Sequence, residues 1–196
     1  MFDLIIRNAR VIDGTGFASY MADVAVKDGI IRQIGNLSGI DAKEVLDAQG
    51  RVLAPGFIDI HTHSDTTLLT DYRGQSHIQQ GVTTEVLGQC GGSAVPRTKE
   101  MALAQNEMQL RLQPQMEPFM GTTTAEYMAE LETRGISQNV VFVLGQGNLR
   151  QIVMNYDAGP ADEAQLEQMK QLVRQSMEEG SAGISTGLIY APSIYA

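Results

Sequence analysis

Two of the chain's three histidines, His61 and His63, stand two residues apart at the end of an apolar stretch, with carboxylates at Asp59 and Asp65 on either side. Side chains alternate across an extended chain, so both imidazoles point to one side. Imidazole is the commonest metal ligand, and two rings converging from one strand can share an ion. Ordinary residues at a polar strand end are the plainer alternative. The single cysteine, Cys90, offers a second ligand type, because thiolate is a good zinc ligand. Taken alone, a free cysteine is more commonly a small buried hydrophobe.

These residues need elements to hold them. After Pro55, apolar β-rich runs alternate with helical stretches. The runs cover 56–62, 81–88, 139–145 and 182–187, and the first, GFIDIHT, is apolar enough to predict a strand buried on both faces. A helix is predicted over 98–112, with Met101, Ala104, Met108 and Leu112 along a core face. A second runs over 124–134 from a cap at Thr124 to Gly135, and a third over 161–179 with Leu166, Met169, Val173 and Met177 inward. Methionines at this spacing are expected to pack in a core.

Alternating strands and helices imply a parallel sheet with crossover connections. A closed barrel takes eight strand–helix units in about 250 residues. Four are visible, so residues 55–196 are expected to form the first half of a (β/α)8 TIM barrel. A doubly wound open sheet is the alternative, but no glycine-rich phosphate loop follows any strand. In a barrel, catalysis sits at the C-terminal strand ends, which brings His61, His63 and Cys90 to one mouth. Arg150 and Tyr190 follow the third and fourth strands at the same end. They are candidate substrate-binding residues, since arginine can pair a carboxylate with two hydrogen bonds; plain surface positions are the alternative. Asp65 could orient an imidazole, with an exposed loop aspartate as the plain alternative, and Asp59 could lie deeper in the barrel or simply help close it. His77, in the polar stretch GQSHIQQ, reads as solvated.

Residues 1–54 read as short strands in FDLIIRN, ADVAVKDG, IIRQIG and RVLAP, with a tight hairpin at Asp28-Gly29. They form a small β layer that needs a cover on its second face.

Composition narrows the function classes. The formal net charge of −9 argues against nucleic acid or an anionic membrane surface as partner. No apolar run approaches the roughly 20 residues that span a bilayer. The start, MFDLIIRNAR, lacks the features of a signal peptide. One cysteine cannot make an internal disulfide, which points to a reduced, cytoplasmic protein.

The stretch VLAPGFIDIHTHSD resembles the opening of the amidohydrolase superfamily, metal enzymes built on a (β/α)8 barrel. GQCGGSAVP at 88–96, LGQGNLR at 144–150 and GISTGLIYAPSIYA at 183–196 are similar to segments of the N-acyl-D-amino-acid deacylases. The resemblance runs in order along nearly the whole chain. It implies that residues 1–54 belong to a small β-sandwich domain. It also implies that Cys90 ligates a tightly held zinc, and that His61 and His63 contribute to a second, weaker metal position. The implied activity is zinc-dependent hydrolysis of N-acyl-D-amino acids, with a general-base aspartate and two further histidines beyond Ala196. Gln89, Gln146 and the PSIYA segment depart from the family pattern, which bears on substrate preference more than on reaction class.

A cyclic amidase of the dihydroorotase or hydantoinase kind is the enzymatic rival. It is disfavoured because neither the third nor the fourth strand ends in a lysine that could bridge two metals. A non-catalytic binding or assembly partner is the rival of another class. The expected partners are a small N-acyl amino acid and either further copies of the chain or the remainder of the barrel. Alone, these 196 residues are expected to be inactive and to associate.

Overall fold

One long strand organises the N-terminal residues. β1 (Phe2–Val11) runs antiparallel to β2 (Tyr20–Lys27) and parallel to β4 (Ala42–Asp47); β3 (Ile30–Gly35) adds to the far side of β2, and β5 (Val52–Leu53) pairs with the end of β1. The β2–β3 hairpin turns through Asp28 and Gly29 at φ 53° and 72°, the pair of positive values that an Asp-Gly turn supplies. β4 was not foreseen. Its segment, AKEVLD, is almost wholly exposed, so no inward–outward alternation marks it as a strand. Ile5, Ala25 and Leu37 form one small core, and Ala9, Val11 and Val24 another. Within this unit the strands make one sheet.

The computed structural model describes residues 1–195, and the chain divides into two compact units after Gly56. In the second unit β6 (Phe57–Asp59), β7 (Val82–Leu87), β8 (Asn139–Gly145) and β9 (Gly183–Ser185) pair in consecutive order, all parallel. Helices supply every crossover: α1 (Gln75–Ile78) before β7, α2 (Lys99–Leu112) and α3 (Thr124–Arg134) before β8, α4 (Gln146–Met154) and α5 (Glu163–Glu178) before β9. This is the curled parallel half-barrel that the alternation implies. Among the described residues no helix is long and apolar enough to cross a membrane.

The core lies between sheet and helices. Alternate residues of the strands, Leu87, Phe142 and Leu144, meet Tyr127 and Leu131 of α3, Leu149 and Met154 of α4, and Met169 of α5. Tyr127 and Phe142 stack at a tilt with centroids 5.4 Å apart, a geometry aromatic pairs favour. α3 opens with a capping box: Thr123 Oγ1 accepts from Glu126 N at 3.2 Å and Glu126 Oε2 accepts from Thr123 N at 3.1 Å. The cap is therefore Thr123, not Thr124. Thr124 is buried instead, with its hydroxyl 2.7 Å from that of Ser176 on α5.

Three packing expectations fail. On α5 Met169 is buried, but Leu166 is 46% exposed. α2 buries Ala102 and Asn106, whereas Met108 is 60% and Leu112 77% exposed. The inward face is polar because Asn106 exchanges hydrogen bonds with Phe119, donating to its carbonyl and accepting from its N–H at 2.7 and 3.2 Å. The first barrel strand is also not enclosed: Phe57, Ile58 and Ile60 are exposed. β6 is an edge strand whose single neighbour among the described residues is β7, so the apolar run that reads as a buried strand is left largely uncovered.

Candidate metal centre

β6 ends at Asp59, so His61 and His63 lie in the loop beyond the strand rather than on it. Alternation survives in that loop. Thr62 is buried, and both its N–H and its hydroxyl donate to the Val86 carbonyl at 3.3 Å, tying the loop to β7. Asp59 Oδ1 accepts from His61 N at 3.1 Å. The two imidazoles come together with ring centroids 5.5 Å apart.

Cys90 arrives from the end of β7 on a tight turn. Gly92 N donates to Gln89 O at 3.1 Å, and the two central residues, Cys90 and Gly91, have φ of 57° and 77°. Positive φ at both central positions is the pattern of a type I′ turn, which favours Gly, Asn and Asp. A side chain in the left-handed region costs about 1–2 kcal/mol, so the cysteine sits where the backbone would prefer another residue. Neighbouring backbone supports the turn. Gly147 N donates to Gly91 O at 2.8 Å, and a Cβ at Gly145 or Gly147 would stand 2.6 or 2.7 Å from that oxygen. The glycines of LGQG, at the start of α4, therefore permit close approach to the turn.

The result is a cluster. His61 Nε2 lies 3.2 Å from Cys90 Sγ, and one ligand atom each from His61, His63 and Cys90 lie within 4.8 Å of one another. Ligands of a tetrahedral zinc, at about 2.0–2.3 Å from the metal, stand roughly 3.5 Å apart. Two imidazoles and a thiol are the right donor types, His61 and Cys90 already stand near that separation, and three donors leave a coordination position for a further ligand.

Beside them opens a cavity of about 460 Å³, whose lining includes His63, Asp65, Cys90, Gln105, Gln151 and Tyr190. Tyr190 is half exposed there. Asp65 is buried, and one carboxylate oxygen accepts from Ala94 N at 3.3 Å. Burial raises its pKa, opposed by the N–H groups of Gly88 and Ala94 and by nearby His63. Its backbone carbonyl accepts from the Tyr127 hydroxyl at 2.7 Å, which anchors the loop after β6 to α3. Tyr127 is held well above the usual phenol range by burial, and further by the charges of Asp65 and Glu85.

Arg150 is placed elsewhere. It is only 2% exposed, and its guanidinium donates to the carbonyls of Pro192, Asp157 and Gly159 at 3.2, 2.7 and 2.8 Å. Those carbonyls occupy the donors a substrate carboxylate would need. Arg150 fastens the segment after β9 to the end of α4, and it does not line the cavity. His77 is likewise not simply solvated: its Nδ1 lies 3.4 Å from Oε1 of Glu85, which is fully buried and accepts from Gln138 Nε2 at 2.5 Å.

Gln105 was missed in the sequence. Arg97, itself buried, donates to Gln105 Oε1 at 2.6 Å and to the carbonyls of Phe119 and Gly121 at 2.6 and 3.0 Å. That fixes the Gln105 amide at the cavity wall. No motif announces it, since its anchor is eight residues away in a loop.

Residues 44–196 match the Amidohydrolase family. The N-acyl-D-aspartate deacylase and the D-aminoacylase of Alcaligenes xylosoxydans xylosoxydans are each 35% identical to this chain, over 97% and 98% of it and 38% and 39% of their own lengths. The crystal structure of N-acyl-D-glutamate deacylase from Bordetella bronchiseptica, complexed with zinc and a phosphonate mimic of the reaction's tetrahedral intermediate, superimposes with a TM-score of 0.85 at 34% identity, covering 100% of this chain and 40% of that one. The chain thus spans about two-fifths of the length of these relatives.

Proposed function

The chain belongs to the amidohydrolase family, and on that footing we propose that it forms the metal-binding half of a zinc-dependent hydrolase acting on the amide bond of N-acyl-D-amino acids. The observation that carries the reading is the 3.2 Å approach of His61 Nε2 to Cys90 Sγ at the end of the parallel sheet, beside the cavity. A metal site needs converging donors of suitable softness, and here loops from two strands supply them. His61, His63 and Cys90 would hold the metal. The chemistry supplied by a bound zinc is Lewis acidity toward a carbonyl and a water activated at neutral pH.

The chain's other residues define where substrate lies. Tyr190, Gln105 and Gln151 wall the cavity and present hydroxyl and amide groups to an acyl amino acid. Of the nearby aspartates, Asp59 accepts the His61 N–H and Asp65 the Ala94 N–H. The family resemblance implies that the general base is an aspartate outside these residues. The relatives that extend well beyond this chain are a D-aminoacylase and deacylases of N-acyl-D-aspartate and N-acyl-D-glutamate, which supports amides of D-amino acids as the substrate class.

The test is hydrolysis of paired enantiomers by the full protein, with and without a zinc chelator. Turnover of N-acyl-D-amino acids, loss on chelation and inertness of the L-forms is the expected outcome. Equal rates on both hands, or turnover of cyclic amides only, would overturn the substrate reading.

A further inference from the structure

We propose that Ser185, at the end of β9, is the positioning residue for the Cys90 thiolate; the inference rests on the metal-site reading above. Ser185 is 95 residues from Cys90 in sequence, yet it brackets the Cys90 turn from both ends. Its hydroxyl donates to the carbonyl of Gly88, and it accepts from Gly91 N at 3.0 Å. Gly88 precedes the turn and Gly91 is its second central residue, so one hydroxyl clamps the segment whose conformation aims Cys90 Sγ.

A clamp is needed here for a physical reason. Cys90 holds a φ of 57°, a conformation that persists only where surrounding structure enforces it. The turn's own hydrogen bond, from Gly92 N to Gln89 O, does not fix how the turn sits on the sheet. Ser185 does, because β9 is two strands away from β7 in the sheet order. Without the hydroxyl, Gly91 N–H and Gly88 C=O lose their shared partner. The turn could then relax toward a conformation that suits a cysteine backbone better and moves the sulfur off the imidazoles. Groups that hold a ligand without touching the metal typically contribute 10–100-fold to affinity.

The isosteric pair Ser185→Thr and Ser185→Val separates hydroxyl from packing, with Ser185→Ala as a smaller probe and Cys90→Ala as the reference. The readouts on the full chain are Co²⁺ affinity by competition with a chromogenic chelator, the sulfur-to-cobalt charge-transfer band, and the rate of Cys90 alkylation in metal-free protein. S185V and S185A are expected to weaken Co²⁺ binding about 10–100-fold, to diminish or shift the band and to change the alkylation rate. S185T is expected to stay within a few-fold of the parent protein. Parent-like affinity and band in S185V would overturn the proposal whatever its thermal stability. Failure of both S185V and S185A to fold while S185T folds would overturn it too, by making the hydroxyl a folding requirement. Parent-like Co²⁺ binding in C90A would bring down the metal-site reading and this inference together, whereas loss in C90A without loss in S185V removes this inference alone.

Discussion

Gly187 rests directly on Cys90: a Cβ built at Gly187 would lie 1.9 Å from the Cys90 carbonyl oxygen. The backbone after β9 and the turn after β7 are thus in contact with no room for a side chain. Any substitution at Gly187 must push the turn or itself away. Gly187→Ala should destabilise the second unit by roughly 1–3 kcal/mol, the usual range for forcing an extra carbon into packed structure. It should also lower metal content measured by elemental analysis. Unchanged stability and metal content would show that the contact is slack.

Cys90 occupies a turn position suited to asparagine or glycine, so the site is held at a cost to the fold. Cys90→Asn should raise the stability of the metal-free protein by up to about 1 kcal/mol, since asparagine tolerates the left-handed region better than cysteine, while abolishing thiolate coordination. Denaturant midpoints of the metal-free proteins check the first half. A less stable C90N would mean that the sulfur's packing outweighs the backbone strain.

Arg150 supports structure, although its place after the third barrel strand suggests a substrate role. Arg150→Met should deprive the carbonyls of Asp157 and Gly159 of their guanidinium partner, while Pro192 keeps the N–H of Tyr195, and cost roughly 2–4 kcal/mol, read as a shifted unfolding midpoint. A variant of parent stability with raised KM would return Arg150 to the substrate.

Glu126 carries a pH dependence that can be signed. Its carboxylate accepts N–H groups of Thr122 and Thr123, which lower its pKa from the ordinary 4.5. A carboxylate depressed in the folded state contributes stability that is fully present above the unfolded value and is lost as pH falls through the folded one. The parent protein should exceed Glu126→Gln in stability by about 0.3–1 kcal/mol at neutral pH, and the gap should close in acid below 4.5. A gap independent of pH would assign the cap to geometry alone.

Much of this was legible in the sequence, for identifiable reasons. Strands β7 and β8 and the helices α3 and α5 announce themselves because apolar period and terminal glycines agree, down to Gly135 at φ 69°, although the α3 cap lies one residue earlier, at Thr123. The meeting of His61 with Cys90 follows from two strand ends in a parallel sheet sharing one mouth. What stayed hidden was held by long-range backbone contacts. Ser185 on the Cys90 turn, Arg97 on Gln105 and Arg150 on three carbonyls leave no periodicity behind. The Met108 and Leu112 stripe misled because helical spacing identifies an apolar face without showing that anything covers it. β4 stayed silent because an exposed strand need not alternate.

The proposed activity depends on Cys90 and the two histidines sharing a metal site. X-ray absorption at the zinc edge of the zinc-loaded chain tests it most directly, because Cys90 is its only cysteine. The expected spectrum shows a sulfur scatterer at about 2.3 Å together with imidazole nitrogens at about 2.0–2.1 Å, with the sulfur absent in Cys90→Ala. A spectrum fitted by nitrogen and oxygen alone in the parent chain would contradict it.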